Sequence, residues 1–116
     1  MQTNSEAKLL RIFIGESDRI KGRSVYEEIV LKAREAGLAG ATVSKGIMGF
    51  GANSKIHTTK ILAMSEDLPL IIEIVDELKK IENFISIVND IFEKANIGGL
   101  VTIEKAEIIK YTAYKV

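Results

Sequence analysis

The sequence predicts one α+β domain whose elements follow the order strand, helix, strand, strand, helix, strand. Three observations predict it: runs of alternating or β-branched apolar residues, two stretches with apolar residues every three or four positions, and glycine or polar turns between them. At 116 residues the chain has the length of a single domain, which we assign to residues 1–116. This order is the split βαβ pattern, in which two helices cover one face of a four-stranded sheet.

The first half of the pattern contains a strand, a helix and a second strand. Apolar residues alternate over residues 8–15, as expected of a strand. Ser24 is predicted to be the N-cap of the first helix, and Glu27, three residues later, would complete a capping box. Gly37 is predicted to end this helix in the left-handed conformation, and a second strand is predicted over about residues 41–48.

The second half begins with an extended arm, predicted over residues 58–64, and a β-branched strand over residues 70–75. Asp76 is predicted to cap the second helix, and Asn96 with the following glycines is predicted to end it. One or two extended segments are expected over residues 100–114. The apolar positions of the second helix recur every three or four residues and are Leu78, Ile81, Phe84, Ile85, Val88, Ile91 and Phe92.

Composition limits the kinds of partner and chemistry that we expect. The 16 basic and 16 acidic residues give a formal net charge of +0, whereas nucleic-acid binding usually needs a basic excess, so nucleic acid is not expected as a partner. The chain has no cysteine, which excludes disulfides, thiolate metal ligands and cysteine nucleophiles. It shows neither an apolar run of bilayer length nor the pattern of a secretory signal, so we expect a cytoplasmic protein without membrane insertion.

The face of the sheet away from the helices is unusually apolar. It would carry Leu9, Arg11 and Phe13 from the first strand and Ile71, Glu73 and Val75 from the third. Because these two strands are neighbours in the split βαβ arrangement, Arg11 and Glu73 are predicted to pair across the ladder. We predict that subunits bury this face between them. A monomer with a partly exposed sheet is the alternative.

A glycine-rich stretch, ATVSKGIMGFG at residues 41–51, is followed by SKIHT at residues 54–58. This region resembles the loop base of PII signal-transduction proteins, in which a Gly-Phe-Gly element opens a long T-loop. Residues 68–76, LPLIIEIVD, are similar to the PII strand that leads into the second helix. The closer resemblance is to the uncharacterised PII-like branch called domain of unknown function 190. Its features are found at residues 10–17, 37–40 and 98–102.

The resemblance implies a ferredoxin-like fold and a compact homotrimer with effector sites in the clefts between subunits. The implied effector is an adenine nucleotide of the AMP or ADP type, without a metal ion. The implied role is regulatory and not enzymatic: the T-loop would change shape on binding and dock onto an enzyme or a membrane transporter. Basic residues are fewer here than in PII, which favours a monophosphate or another small ligand over a triphosphate. The absence of a tyrosine between Gly49 and Pro69 gives no support to regulation by nucleotidylation of the loop.

The candidate ligand-binding residues follow from the same resemblance. They are Lys45, Gly46, Gly49, Phe50, Gly51, Lys55 and His57 around the loop base, Gly98 and Gly99 from across the interface, and Lys110 near the C-terminus. Glycines let backbone N–H groups approach a phosphate closely and form an anion-binding nest. The simpler interpretation is a tight bend at the glycines, solvated surface lysines and a locally hydrogen-bonded histidine.

Two other functions are compatible with the fold class. One is a small phosphoester-hydrolysing enzyme, which needs an anion-cradling loop between the first strand and first helix. Residues 15–23 contain basic side chains in that position but no clear phosphate cradle. The other is a CutA-like metal-binding trimer, and the absence of cysteine together with the single histidine argues against it.

Overall fold

The computed structural model describes residues 6–52, 57–58 and 67–114 of the chain. Within these ranges the chain forms two helices and eight strands, several of them very short. In chain order they are β1 (Ala7–Gly15), β2 (Arg19–Ile20), β3 (Arg23–Ser24), α1 (Val25–Glu35), β4 (Thr42–Lys45), β5 (Met48–Gly49), β6 (His57–Thr58), β7 (Pro69–Glu77), α2 (Leu78–Ala95) and β8 (Leu100–Ala106).

The four longest strands form one antiparallel sheet in the order β4-β7-β1-β8. Helix α1 joins β1 to β4 and helix α2 joins β7 to β8, so the two strands that follow helices lie at the edges. This confirms the predicted ferredoxin-like α+β architecture. The predicted second strand over residues 41–48 is divided: β4 ends at Lys45, and Met48 and Gly49 pair with His57 and Thr58 instead. Residues 59–64 of the predicted arm lie outside the described residues.

The hydrophobic core lies between the sheet and the two helices. Alternate residues of β1 and β7 point toward the helices, which is why both strands show a period of two in burial. The buried apolar side chains of the sheet and helices include Leu10, Ile12, Ile72, Ile74, Val25, Ile29, Ile81, Phe84 and Val88. Removing an aliphatic side chain of this size from water contributes about 2–3 kcal/mol of stability.

The helix ends follow the prediction in part. Gly37 has φ 77°, so the first helix ends in the left-handed conformation as predicted, and Asn96, predicted only to end the second helix, has φ 53°. Ser24 is the N-cap of α1, but its hydroxyl makes no capping hydrogen bond, and the predicted capping box with Glu27 is therefore wrong. The hydroxyl oxygen instead accepts a hydrogen bond from Arg19 Nη1 at 3.3 Å, which keeps it in the β2–β3 hairpin.

Asp76 does not cap the second helix. It belongs to β7, is 1% exposed, and the helix begins after Glu77, so the predicted cap is wrong. The strand continues through Glu77 because Ala7 still pairs with that residue. The Asp76 carboxylate accepts backbone N–H bonds from Ala39 at 2.8 Å and from Glu77 at 2.7 Å. Its buried charge thus fixes the loop between α1 and β4, since a buried carboxylate needs such donors.

The sheet face away from the helices has an ion pair at its centre. Arg11 lies directly opposite Glu73 in the register, and Arg11 Nε donates to Glu73 Oε2 at 2.9 Å, which confirms the predicted pair. Arg11 Nη1 also donates to Glu104 on β8. The hydrogen bond to Glu73 and the charges of both carboxylates raise the pKa of Arg11, against the opposing effect of desolvation. Partly exposed apolar side chains flank this charged cluster: Leu9, Phe13, Ile71 and Val75.

Candidate functional site

The loop base begins where β4 ends, and its first two glycines pack against Pro69. The Gly46 N–H donates to the Pro69 carbonyl oxygen at 2.7 Å, so the chain leaves the sheet while still tied to β7. A Cβ atom at Gly46 would lie 2.9 Å from Pro69 Cγ, and one at Gly49 would lie 3.2 Å from the same atom. Glycine is therefore required here by close packing, whatever else these residues do.

Gly51 lies beyond this contact and faces open space. Among the described residues, a Cβ atom there would meet no other atom within 4 Å, and its φ is outside the left-handed region. Packing against the described part of the chain thus gives no reason for a glycine at this position. Three large apolar side chains near Gly51 are also exposed: Phe50 at 68%, Ile47 at 74% and Met48 at 59%. The stem of the loop therefore presents three large apolar side chains to solvent.

Lys45 forms an ion pair at the loop base. Its Nζ lies 2.7 Å from Glu16 Oε2, and both side chains are part-exposed. An anion bound here would compete with Glu16 for this cation, which weakens the local attraction for phosphate. The sequence alone does not reveal this pairing, because the two residues lie on different elements and no local pattern brings them together.

Two further carboxylates lie at the same end of the sheet. Asp18 Oδ2 accepts the Gly15 N–H at 2.9 Å, and Asp67 Oδ1 accepts the Ser17 N–H at 2.9 Å. Partial burial raises the pKa of Asp18, the hydrogen bond from Gly15 lowers it, and the nearby charge of Asp67 raises it further. These two carboxylates therefore occupy backbone N–H groups at the position where a phosphoester-hydrolysing enzyme would need donors for an anion.

Gly98 and Gly99 precede β8 and differ in their surroundings. A Cβ atom at Gly99 would lie 2.5 Å from the Phe13 carbonyl oxygen and 2.9 Å from the Phe92 ring, so packing requires that glycine. Among the described residues, a Cβ atom at Gly98 would meet no other atom within 4 Å. Gly98 and Gly51 thus share an uncovered backbone, which another molecule could approach closely.

The two glycine groups lie at the same end of the sheet but on opposite edges. Lys45 pairs with Leu70 on β7, and Leu100 pairs with Phe13 on β1, so two central strands separate β4 from β8. With strands about 4.8 Å apart, the edges are about 14 Å from each other. A single subunit therefore holds the two candidate glycine groups, here called half-sites, apart from each other. Both could contact one ligand only if a second copy of the chain placed its β8 edge beside the β4 edge.

Of the remaining candidates, His57 lies beside the loop-base glycines and Lys110 lies away from both glycine groups. Lys110 lies beside Ala41 and Thr42, at the opposite end of β4 from Gly46. His57 belongs to β6, where its backbone pairs with Gly49. Lys55 lies outside the described residues.

The C-terminal segment forms one side of a groove that the sequence did not predict. Residues 108–111 face the loop at residues 39–41 and the end of the open sheet face. The Tyr111 hydroxyl donates to the Ala39 carbonyl oxygen at 2.7 Å. The run Ile108, Ile109 and Tyr111 after the last strand was the available signal, since apolar residues in a polar tail usually cover something.

Two findings concern other kinds of site and partner. In residues 6–52 and 67–114, no three His, Asp or Glu side chains lie together in a way that would hold a metal ion. Neither of the two described helices combines the length and the apolar character that a membrane span requires.

Comparison with solved structures identifies the class of fold. The chain is similar to CPII, a nitrogen regulatory PII-like protein from Thiomonas intermedia K12 that was solved with ADP, AMP and bicarbonate. The match has a TM-score of 0.66 at 16% identity and covers 87% of this chain and 86% of CPII. The fold is therefore that of the PII-like proteins.

The family follows from the sequence matches. Residues 7–108 match the DUF190 family, described as uncharacterized ACR. A UPF0166 protein of Aquifex aeolicus is 37% identical over 102 residues, which cover 88% of this chain and 92% of the relative. A UPF0166 protein of Methanocaldococcus jannaschii is 33% identical over 110 residues, covering 95% and 98%. The chain belongs to the DUF190 family, a PII-like branch, as its sequence features had indicated.

Proposed function

We propose that this protein is a PII-like regulator that binds an adenine nucleotide, AMP or ADP, in the clefts between the subunits of a homotrimer. The observation that carries the proposal is the division of the glycine-rich backbone into two half-sites on opposite edges of one sheet. Neighbouring copies placed edge to edge would complete each half-site with the other. CPII, which has the same fold, was solved with ADP and AMP, and this supports the choice of ligand.

The chemistry of the half-sites fits a ligand with few phosphates. The open backbone at Gly51 and Gly98 lets N–H groups approach phosphate oxygens closely. The charge on Lys45 becomes available only if it leaves Glu16, to which it is bound at 2.7 Å. Lys110 would add charge only from a rearranged C-terminal segment or from another subunit. One or two phosphates suit this modest positive charge better than three.

Trimer formation is supported by the open face of the sheet. Four apolar side chains, Leu9, Phe13, Ile71 and Val75, are partly exposed there although they flank the centre of the sheet. An apolar face of this kind on a folded subunit is typical of an interface. The ion pair of Arg11 with Glu73 meets its hydrogen-bonding needs within the subunit, so the face can be buried without leaving these charges unpaired.

The loop that follows Gly51 is the proposed output of the protein. Its stem carries the exposed Ile47, Met48 and Phe50, which would form an apolar contact for a partner protein. We propose a partner that is an enzyme or a membrane transporter in the cytoplasm, with the bound nucleotide setting the conformation of the loop. The protein itself would carry out no reaction.

Calorimetric titration of AMP, ADP and ATP into the full chain, with its mass in solution measured alongside, tests the proposal. We expect binding of AMP or ADP at one site per subunit of a trimer, and weaker binding of ATP. Gly51→Val and Gly98→Ala should each reduce affinity by tenfold or more without loss of stability, because a Cβ at either position meets no atom of the described residues within 4 Å. Gly40→Ala is the matched control, since its Cβ also meets no described atom within 4 Å and it lies at the far end of β4.

Three results would contradict the proposal in different ways. A well-folded trimer that binds no adenine nucleotide would show that AMP and ADP are not its ligands. Binding to a monomer would exclude the cleft between subunits. Equal binding by all three glycine variants and the unmodified chain would exclude the two half-sites as the place of contact.

A further inference from the structure

The C-terminal segment, residues 107–114, lies over one end of the open sheet face. A groove of about 640 Å³ separates it from the sheet, with Leu9, Glu73 and Val75 on one side and residues 108–111 on the other. Those three side chains belong to the open face, because they alternate with the buried residues of β1 and β7. The segment thus covers part of the surface through which we propose that subunits associate.

This segment is held weakly. The Tyr111 hydroxyl donates to the Ala39 carbonyl oxygen at 2.7 Å. Within the described residues, no backbone hydrogen bond joins 107–114 to the rest of the chain. Ile109 is 85% exposed and Tyr114 is 92% exposed, so two of its large apolar side chains are not packed. The groove beneath it also removes the close contacts from which dispersion attraction arises.

The acceptor of the tyrosine hydroxyl is, by contrast, firmly placed. The Ala39 N–H donates to the buried carboxylate of Asp76 at 2.8 Å, and Lys80 Nζ donates to the Gly37 carbonyl oxygen at 3.2 Å. The loop at residues 37–40 is therefore fixed from two sides. Breaking the Tyr111 contact moves the C-terminal segment and leaves that loop in place.

We propose that residues 107–114 form a displaceable strap. In the isolated subunit the strap lies over the open face, held by Tyr111, and it leaves the groove when a second copy of the chain buries Leu9 and Val75. This inference rests on the proposed function, since it concerns how the proposed trimer is regulated. Strap release and assembly are linked equilibria, so a contact that holds the strap on its own subunit opposes assembly.

Measuring mass against protein concentration by analytical ultracentrifugation, for the full chain and for Tyr111→Phe, tests the strap. The lost hydrogen bond changes the release equilibrium of each strap by about fivefold. Three straps leave per trimer, and the midpoint concentration varies inversely with the square root of the association constant. We therefore expect a midpoint about tenfold lower. Tyr114→Phe is the matched control and should leave the midpoint unchanged.

A second measurement follows the strap directly. The chain has no cysteine, so Ile109→Cys provides a single attachment point for an environment-sensitive dye. We expect the dye signal to change with the same midpoint as the mass. A signal that stays constant through assembly would show that the strap does not move.

The possible results separate the strap from the trimer. If the full chain forms trimers and Tyr111→Phe assembles with the same or a higher midpoint concentration, the strap proposal is wrong and the trimer proposal still stands. If Tyr111→Phe forms trimers at concentrations where the full chain is monomeric, both are supported. If no variant assembles at any concentration, the open face is not an interface and both proposals are wrong.

Discussion

The two faces of the central sheet share the same strands yet differ in nearly every physical property. On the covered face, Leu10 and Ile72 have no exposed surface and pack against the helices. One residue along each strand, Leu9 and Ile71 remain partly exposed and stand beside a charged cluster centred on Arg11. A period of two therefore places core residues and candidate interface residues in strict alternation.

This difference separates what stabilises the subunit from what the subunit presents to others. The side chains of the covered face must match the shape and volume of the helix side chains that they pack against. The open face combines apolar area with an ion pair that is satisfied within the subunit, and its ends adjoin the two glycine half-sites. Substitutions that preserve the fold should therefore still alter assembly when they fall on the open face.

The largest difference is expected between Ile72→Ala and Ile71→Ala. Ile72 is fully buried, and its truncation should lower the free energy of unfolding by about 3–4 kcal/mol, through lost burial and the cavity left behind. Ile71, one residue earlier, should cost the isolated subunit about 1 kcal/mol or less, because part of its surface already meets water. Urea unfolding at a concentration where the chain is monomeric measures both values.

Measurements of mass against protein concentration should show the opposite ranking, with Ile71→Ala having the larger effect on assembly. Ile71→Ala should raise the midpoint concentration for assembly, whereas Ile72→Ala should leave it nearly unchanged in whatever fraction remains folded. Equal destabilisation of the monomer by both variants would mean that the open face is part of the subunit's own core.

A smaller effect is expected from the ion pair. Arg11→Met leaves Glu73 and Glu104 without their shared cation, yet the isolated subunit should lose little stability, because these side chains are at least one-third exposed and solvent screens them. In a buried interface the same change leaves unpaired carboxylates and should weaken assembly by more than tenfold. The double variant Arg11→Met with Glu73→Gln should recover much of that loss. If it recovers none, the carboxylate of Glu73 is not desolvated in the assembly.

The position of this ion pair was predictable from the sequence, and the reason is geometrical. Once the alternation on two strands and their adjacency are known, Arg11 and Glu73 fall on the same face near the same register. The same logic correctly assigned the apolar residues of α2 and the left-handed end of α1 at Gly37. These features depend on local spacing, which a single sequence carries.

Features that depend on contacts between distant elements were missed. Asp76 precedes a helix and so looked like a cap, but its partner is Ala39, whose need for an acceptor appears only in three dimensions. Lys45 looked like a free cation, but Glu16 lies beside it. The glycine groups were recognised through resemblance, and only the strand order showed that one subunit holds them on opposite edges.

The smallest effect is expected at the end of the sheet, where the two faces meet and Asp18 lies near Asp67. Partial burial and the neighbouring charge raise the pKa of Asp18, so the folded state holds this proton more tightly than the unfolded chain does. Stability from this group is therefore highest below its unfolded pKa and falls as pH rises through the window up to its folded pKa. Asp18→Asn keeps an acceptor for the Gly15 N–H and removes the titration.

The variant should melt at a higher temperature than the unmodified chain at pH 7, and this difference should shrink as the pH falls and Asp18 becomes protonated. Thermal unfolding followed by circular dichroism from neutral to acidic pH measures the difference. A variant that melts lower at every pH would mean that the carboxylate's bond to Gly15 outweighs its desolvation. The acidic end of the sheet would then stabilise the loop after β1 in its charged form.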